Sequence, residues 1–158
     1  MQIFIMRHGQ ASFQADSDEA RALTKQGTLE AELMGQWLAK MDVNPDTIIV
    51  SPYIRAQQTC QQVIKALAGQ YRPQTLSLIT PSGRAADVRD YLDGEIAVKP
   101  ISQLLLVSHM PIVSYLVDEY TQHEKAPVFQ TAGICEIDYD VSTMKGEFIR
   151  LVSPIDLC

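Results

Sequence analysis

Short apolar runs alternate with helical patterns along this chain, and that alternation constrains its fold more than any other feature. Ile3-Phe4-Ile5-Met6 comes first, within a strand predicted over Gln2–Met6. Thr47-Ile48-Ile49-Val50 is a β-branched run that stops at Ser51-Pro52. Thr75–Ile79 is a weaker third strand, and Leu104-Leu105-Leu106-Val107 is the fourth. Between the first two, a helix starts at Leu23-Thr24-Lys25-Gln26-Gly27, with the Thr24 hydroxyl placed to cap an orphan amide of the first turn. Leu29, Leu33, Met34, Trp37, Leu38 and Met41 then recur at helical spacing until Asn44-Pro45 ends the pattern. A second helix spans Arg55–Leu67, with Ala56, Thr59, Cys60, Val63, Ile64 and Leu67 on its inner face. A short third covers Ala85–Leu92, and Pro111 suits the first turn of a fourth that runs through Tyr115, Leu116 and Tyr120. Cys135–Tyr139 and Glu147–Val152 flank a turn at Lys145-Gly146 and read as an antiparallel hairpin. The pattern predicts an α/β fold: a three-layer sandwich, its sheet largely parallel, with helices on both faces and a C-terminal β-hairpin.

With 158 residues and no repeat, low-complexity tract or linker, the chain is expected to form one domain over residues 1–158. Its net charge of −6 argues against sequence-independent nucleic-acid binding and against docking on an anionic membrane. Cys60, Cys135 and Cys158 are odd in number and match no zinc spacing. Cys60 falls in a helical pattern and Cys135 in a strand pattern, so both read as small buried hydrophobes in a reducing compartment. The N-terminus lacks the pattern of a secretory signal, and no apolar run approaches a membrane span. The expectation is a soluble, cytoplasmic protein.

Three of the strands stop at reactive side chains. The first ends in Arg7-His8-Gly9, the second in Ser51-Pro52 with Arg55 in the first turn of the following helix, and the last in Ser108-His109. Parallel α/β sheets place their sites beyond the carboxyl ends of the strands. Arg7, His8, Arg55 and His109 would then converge in one cleft beside helix N-termini, which carry free amides and partial positive charge. A concentrated positive pocket in an acidic protein calls for an anion, and arginine forks match phosphate oxygens. Taken singly, each residue has a plainer reading: an Arg after a strand is usually solvated, and a lone His is usually structural. The convergence carries the argument. His123, in a polar stretch, reads as a surface residue. Asp16, Asp18 and Glu19 lie in a polar segment, Gln10–Ala22, and read as a solvated acidic face that could touch a partner, since a calcium loop's glycine and terminal glutamate are missing. Met34 and Trp37 read as core.

The stretches MRHG, SPYIRAQQT and LLLVSHMP, with LTKQG at Leu23–Gly27, resemble the histidine phosphatase superfamily, also called phosphoglycerate mutase-like. The resemblance spans nearly the whole chain. Its short length and its VSHMP form are most similar to the SixA-type phosphohistidine phosphatases. The resemblance implies that His8 is the nucleophile and is transiently phosphorylated. It implies that Arg7 and Arg55 clamp the phosphoryl oxygens, that His109 completes the pocket, and that Gly9 gives the phosphate room at the backbone. It implies no metal and no cofactor.

Two departures from larger members narrow the chemistry. Those members carry a Glu after the third strand that protonates an alcohol leaving group. The corresponding stretch, Leu76–Gly83, holds no carboxylate, and the nearest, Asp87, falls in the short helix. Ala11 stands where mutases of the superfamily carry Ser. An alkoxide needs an acid, whereas the conjugate acid of imidazole has a pKa of about 6.5 and leaves readily. The expected activity is therefore removal of phosphate from a phosphohistidine-bearing phosphotransfer protein in a phosphorelay, by a monomer with an open site and little room for a lid. Two alternatives remain: a broader small-molecule phosphatase assisted by an acid such as Asp87, and a non-catalytic phosphoprotein-binding module. Binding alone would not need His8.

Overall fold

The computed structural model describes residues 1–158. Six strands form one sheet: β1 (Gln2–Arg7), β2 (Thr47–Val50), β3 (Gln74–Thr75), β4 (Gln103–Ser108), β5 (Ile134–Asp140) and β6 (Lys145–Val152). Four helices join them: α1 (Lys25–Lys40), α2 (Ile54–Leu67), α3 (Ala85–Val98) and α4 (Ile112–Tyr120). The spatial order is β3-β2-β4-β1-β5-β6. β1, β2, β3 and β4 run parallel, and β5 and β6 close the sheet antiparallel. This is the sandwich expected from the alternation.

The central strands are buried on both faces, which explains why they are continuous apolar runs rather than alternating ones. Successive side chains of a strand point to opposite faces. Ile3, Ile5, Leu104 and Leu106 pack with Val88, Leu92 and Ile96 of α3 and with Ile112, Leu116 and Val117 of α4. Phe4, Met6, Leu105 and Val107 pack with Met34 and Leu38 of α1 and with Ala56, Cys60 and Val63 of α2. Each helix pair therefore covers one face. Cys60 and Cys135 are buried and unpaired, as their patterns implied.

The structure differs from the expectation at several elements. The weak third strand is only Gln74–Thr75. Ser77–Ile79 instead forms a 3₁₀ turn that drops Ile79 into the core, and the Ile79 carbonyl accepts the Ser108 hydroxyl at 2.7 Å. α3 continues past Leu92 to Val98, because Ile96 extends the row that Val88 and Leu92 begin. The hairpin turns at Val141–Met144, where Asp140 Oδ1 accepts the amides of Ser142 and Thr143. Gly146 lies within β6, where a Cβ would sit 2.1 Å from the Tyr120 carbonyl oxygen. Leu29 faces solvent at 51 % exposure, and Trp37 is only partly buried, packing on the edge of the α1–α2 layer.

Thr24 caps α1 as expected, its hydroxyl accepting the Gly27 amide at 3.0 Å. The same residue binds α1 to the segment after β1, donating its amide to the Gln10 carbonyl at 3.0 Å. The contact is backbone on backbone. A Cβ on Gly27 would stand 2.0 Å from the Gln10 carbonyl oxygen, and one on Gly9 would stand 2.5 Å from that of Gly27. The space at Gly9 is thus required by helix α1. Gly27→Ala is expected to cost about 1–3 kcal/mol, lowering Tm by about 3–10 °C. Gly94, exposed in α3 with nothing near its Cβ position, serves as the control. Gly94→Ala should raise stability by about 0.5–1 kcal/mol, and thermal melts of both variants test the assignment.

A candidate phosphoryl site at the carboxyl edge of the sheet

The strands that carry the candidate residues end level. Arg7 pairs with Ser108 and Val50 with Val107. The ladder runs one residue further, with His8 N–H donating to the Ser108 carbonyl at 2.9 Å and Ser51 N–H to the Val107 carbonyl at 3.1 Å. This brings His8, Ser51 and His109 to one edge, and the first turn of α2 adds Arg55. The His8 and His109 ring centroids lie 5.1 Å apart. Four side chains predicted to converge are buried or half-buried: His8 is 7 % exposed, Arg55 3 %, His109 1 %, and Arg7 is intermediate.

The protonation of His8 follows from its neighbours. Nδ1 lies 2.6 Å from the Gly9 carbonyl oxygen, an acceptor only, so Nδ1 carries the proton. Nε2 is then a bare lone pair, and it accepts Arg55 Nε–H at 3.3 Å. Burial lowers the His8 pKa to about 4, with the Arg55, Arg7 and Arg21 cations adding to the effect against the pull of the Gly9 carbonyl. The imidazole is neutral at pH 7, its Nε2 lone pair held by Arg55.

His109 is fixed through Ser51. The Ser51 hydroxyl accepts the Tyr53 amide at 3.2 Å and lies 2.7 Å from His109 Nε2. No other acceptor receives the hydroxyl proton, so Nε2 accepts it and Nδ1 carries the ring proton. Burial and the nearby His8 and Arg55 lower this pKa to about 3. The Tyr53 ring packs edge-on against His109, with centroids 5.1 Å apart.

Two buried nitrogens here lack any acceptor: His109 Nδ1 and Arg7 Nε. Arg7 is anchored by Nη1, which donates to the Phe129 carbonyl at 2.7 Å. Burying a donor without an acceptor costs about 1–3 kcal/mol. Two such donors beside three guanidinium groups favour an oxyanion, and a tetrahedral phosphoryl group offers oxygens enough for all of them. Gly9 N–H is not among the free donors, since it binds Thr59 Oγ1 at 3.0 Å. A recess bounded by Asp46, Arg72, Glu95 and Lys99 lies at the start of β2, away from this edge, and contains none of these groups.

Several members of the site were not predicted. Thr59 follows Arg55 by one helical turn and bridges the Arg55 carbonyl to the Gly9 amide, a spacing visible in RAQQT. Ser51 was seen as a strand end but not as the partner of His109. Asp18 corrects the solvated-face reading of its segment: its Oδ2 pairs with Arg55 Nη2 at 3.2 Å and its Oδ1 with Arg21 Nη1 at 3.2 Å. Those two cations hold its carboxyl below the usual range against the cost of desolvation. Arg21, in turn, lies over the Phe13 ring. Asp87 is outside the site, exposed and loosely paired with Arg84 at 3.9 Å. His123 is a surface residue paired with Asp118.

The fold and the site together define a class, and comparison with known proteins agrees. Residues 3–78 match the histidine phosphatase superfamily (branch 1). Phosphohistidine phosphatase SixA of Escherichia coli strain K12 is 38 % identical over 157 residues, covering 99 % of this chain and 96 % of that protein. The SixA homolog of Haemophilus influenzae is 40 % identical over 147 residues, covering 89 % of each. The chain belongs to the histidine phosphatase superfamily. The solved structure of the protein histidine phosphatase SixA complexed with tungstate superposes with a TM-score of 0.94 at 37 % identity, covering all of both chains. A structure of a putative α-ribazole-5′-P phosphatase from E. coli, at 17 % identity and a TM-score of 0.75, shares the fold.

Both imidazoles titrate near 6.5 in an unfolded chain and lower in the folded one. Below about pH 6.5 the unfolded chain therefore binds more protons, so stability is full above that pH and falls as pH drops towards 4. Urea denaturation in phosphate-free buffer should show a loss of about 2–4 kcal/mol between pH 7 and pH 5. His8→Asn should remove about half of that slope; a flat profile in the native chain would mean that these rings titrate in the folded state as they do in the unfolded one.

Proposed function

We propose that this protein is a phosphohistidine phosphatase acting on phosphohistidine-bearing protein substrates through a phospho-His8 intermediate. The observation that carries the reading is the state of His8: neutral, pinned through Nδ1, with Nε2 directed at Arg55 in a pocket of unspent donors. His8 Nε2 attacks phosphorus as the P–N bond of the substrate phosphohistidine, protonated on its other ring nitrogen, breaks, and neutral imidazole departs. Arg7, Arg55 and His109 Nδ1 neutralise the oxygens in flight, so the protein's contribution is position and charge rather than new bonds. As phosphorus bonds Nε2, the ring keeps its Nδ1 proton and becomes cationic, stabilised by the Gly9 carbonyl. Water then attacks the phosphoryl group and passes one proton to a phosphoryl oxygen, His8 Nε2 is the leaving atom, and dihydrogen phosphate departs.

Selectivity follows from the acid that is not provided. Asp87 stands on the surface, and Asp18 is held ionised between two arginines. Neither can protonate an alkoxide, whereas imidazole leaves as a weak base. A protein-sized substrate also suits the surroundings: Phe13, 87 % exposed, and Ile54, 44 % exposed, offer apolar contact beside Arg21 and Arg55. The partner is then a histidine phosphotransfer domain, met by a cytoplasmic monomer built as one domain over residues 1–158. No helix is long and apolar enough to cross a membrane.

Incubation with a ³²P-labelled phosphohistidine protein should give phosphate release and a transient acid-labile, base-stable label on the chain. His8→Ala should abolish both. Arg55→Ala should slow release by about 10²–10³-fold. A phosphoserine protein should be turned over at least about 10²-fold more slowly for want of an acid; equal rates would favour the broader phosphatase, and binding without release would favour the non-catalytic module.

A further inference from the structure

Every nitrogen of the Arg55 guanidinium is already engaged. Nε donates to His8 Nε2 at 3.3 Å, Nη1 to the Asp18 carbonyl at 2.6 Å, and Nη2 to Asp18 Oδ2 at 3.2 Å. The first bond covers the lone pair that must attack phosphorus. The other two hold the guanidinium in that covering position. Asp18 also reaches Arg21, so one carboxylate spans two of the cations nearest the imidazoles.

We propose that Asp18 is a resident competitor for the phosphoryl clamp, an internal carboxylate that an incoming phosphoryl group must displace from Arg55 before His8 is uncovered. This rests on the reading of Arg55 as a phosphoryl ligand. The exchange needs little movement. The Asp18 backbone is held on α2, its neighbour Glu19 accepting the Ile54 amide at 3.1 Å, so the loop stays in place. The Asp18 side chain is 55 % exposed while that of Arg55 is 4 % exposed. The carboxylate can rotate into water and recover its hydration, whereas the guanidinium stays in the pocket and turns its donors from Asp18 and His8 onto the next anion. A phosphoryl dianion outcompetes a carboxylate monoanion for such a fork. An anion that binds less well leaves the mask in place. Asp18 thereby sets a threshold against weak occupancy of the pocket, including retention of inorganic phosphate after turnover.

The direction of one substitution separates this from a supporting role. If Asp18 competes, removing its charge tightens anion binding; if it merely orients Arg55 for the substrate, removing its charge weakens binding. Inorganic phosphate should be titrated calorimetrically into the native chain, Asp18→Asn and Arg55→Ala, at low ionic strength because salt screens exposed pairs. Asp18→Asn should bind phosphate about three- to tenfold more tightly, the scale of losing a half-exposed ion pair from the competition. Arg55→Ala should lose most of the binding. Equal or weaker binding by Asp18→Asn overturns the proposal while leaving the phosphatase reading intact. Absence of phosphate binding in both the native chain and Asp18→Asn would overturn the two together. A second measurement needs no variant: in the native chain at pH 7, the ¹³C resonance of the ionised Asp18 carboxyl should move on saturation with phosphate as its Arg55 partner is lost. A resonance that phosphate saturation leaves unmoved means the carboxyl has stayed on Arg55, and the proposal fails.

Discussion

The hydrogen bond from His8 Nδ1 to the Gly9 carbonyl, 2.6 Å long, decides what the rest of the site can be. It assigns the tautomer, directs Nε2 towards Arg55, and does so with an acceptor that cannot take the proton away. The acceptor is part of the chain immediately after β1, so its position depends on the turn that ends the strand. That turn is held by Gly27 against Gly9, by the Gln10 carbonyl on Thr24, and by Thr59 on the Gly9 amide. Helices α1 and α2 thus act on a ring nitrogen through one peptide group. A substitution at Gly27, away from the imidazole in sequence, would disturb the atom that matters most.

The electrostatics carry an opposition that the fold resolves. Guanidinium groups bind phosphoryl oxygens, but they also disfavour protonation of the imidazoles beside them, and burial adds to this. For a nucleophile the effect is useful, because a protonated His8 could not attack. In the phospho-His8 intermediate we propose, the same ring is a cation, and the phosphoryl charge offsets it. The arrangement suits the charged states of the proposed reaction, for which Arg7 Nε and His109 Nδ1 are donors without a protein acceptor. Such local costs are tolerable because the two apolar layers against β1 and β4 are buried almost completely.

Much of this was legible in the sequence, for a physical reason. A parallel strand buried on both faces must be apolar throughout, so it stands out, and its polar end marks the functional edge without reference to any other element. Arg7, His8, Arg55 and His109 could be placed together because β1, β2 and β4 end level. The edges of the fold were harder to read. Gln74–Thr75 pairs on one side only and needs little β-propensity, while the apolar Leu76 and Ile79 that imitate a longer strand serve a 3₁₀ turn. α3 appeared short because Asp93-Gly94 interrupts its polar face, although the buried row Val88, Leu92, Ile96 passes through undisturbed. The acceptor for His8 was out of reach altogether, since a backbone carbonyl has no residue signature.

Asp18 shows a different limit. In sequence it is one of three carboxylates in a polar loop, indistinguishable from Asp16 and Glu19. What separates it is the path of the loop over the start of α2, fixed by the Ile54 amide on Glu19 and by the Leu23 amide on Gln58. Those contacts bring one carboxylate to a guanidinium that is almost fully buried and leave the others in water. Burying a cation without an anion is costly, and the loop places the Asp18 carboxylate on Arg55. An exposed carboxylate on an anchored backbone suits the exchange we propose, because it neutralises Arg55 and can regain its water when a phosphoryl group takes its place.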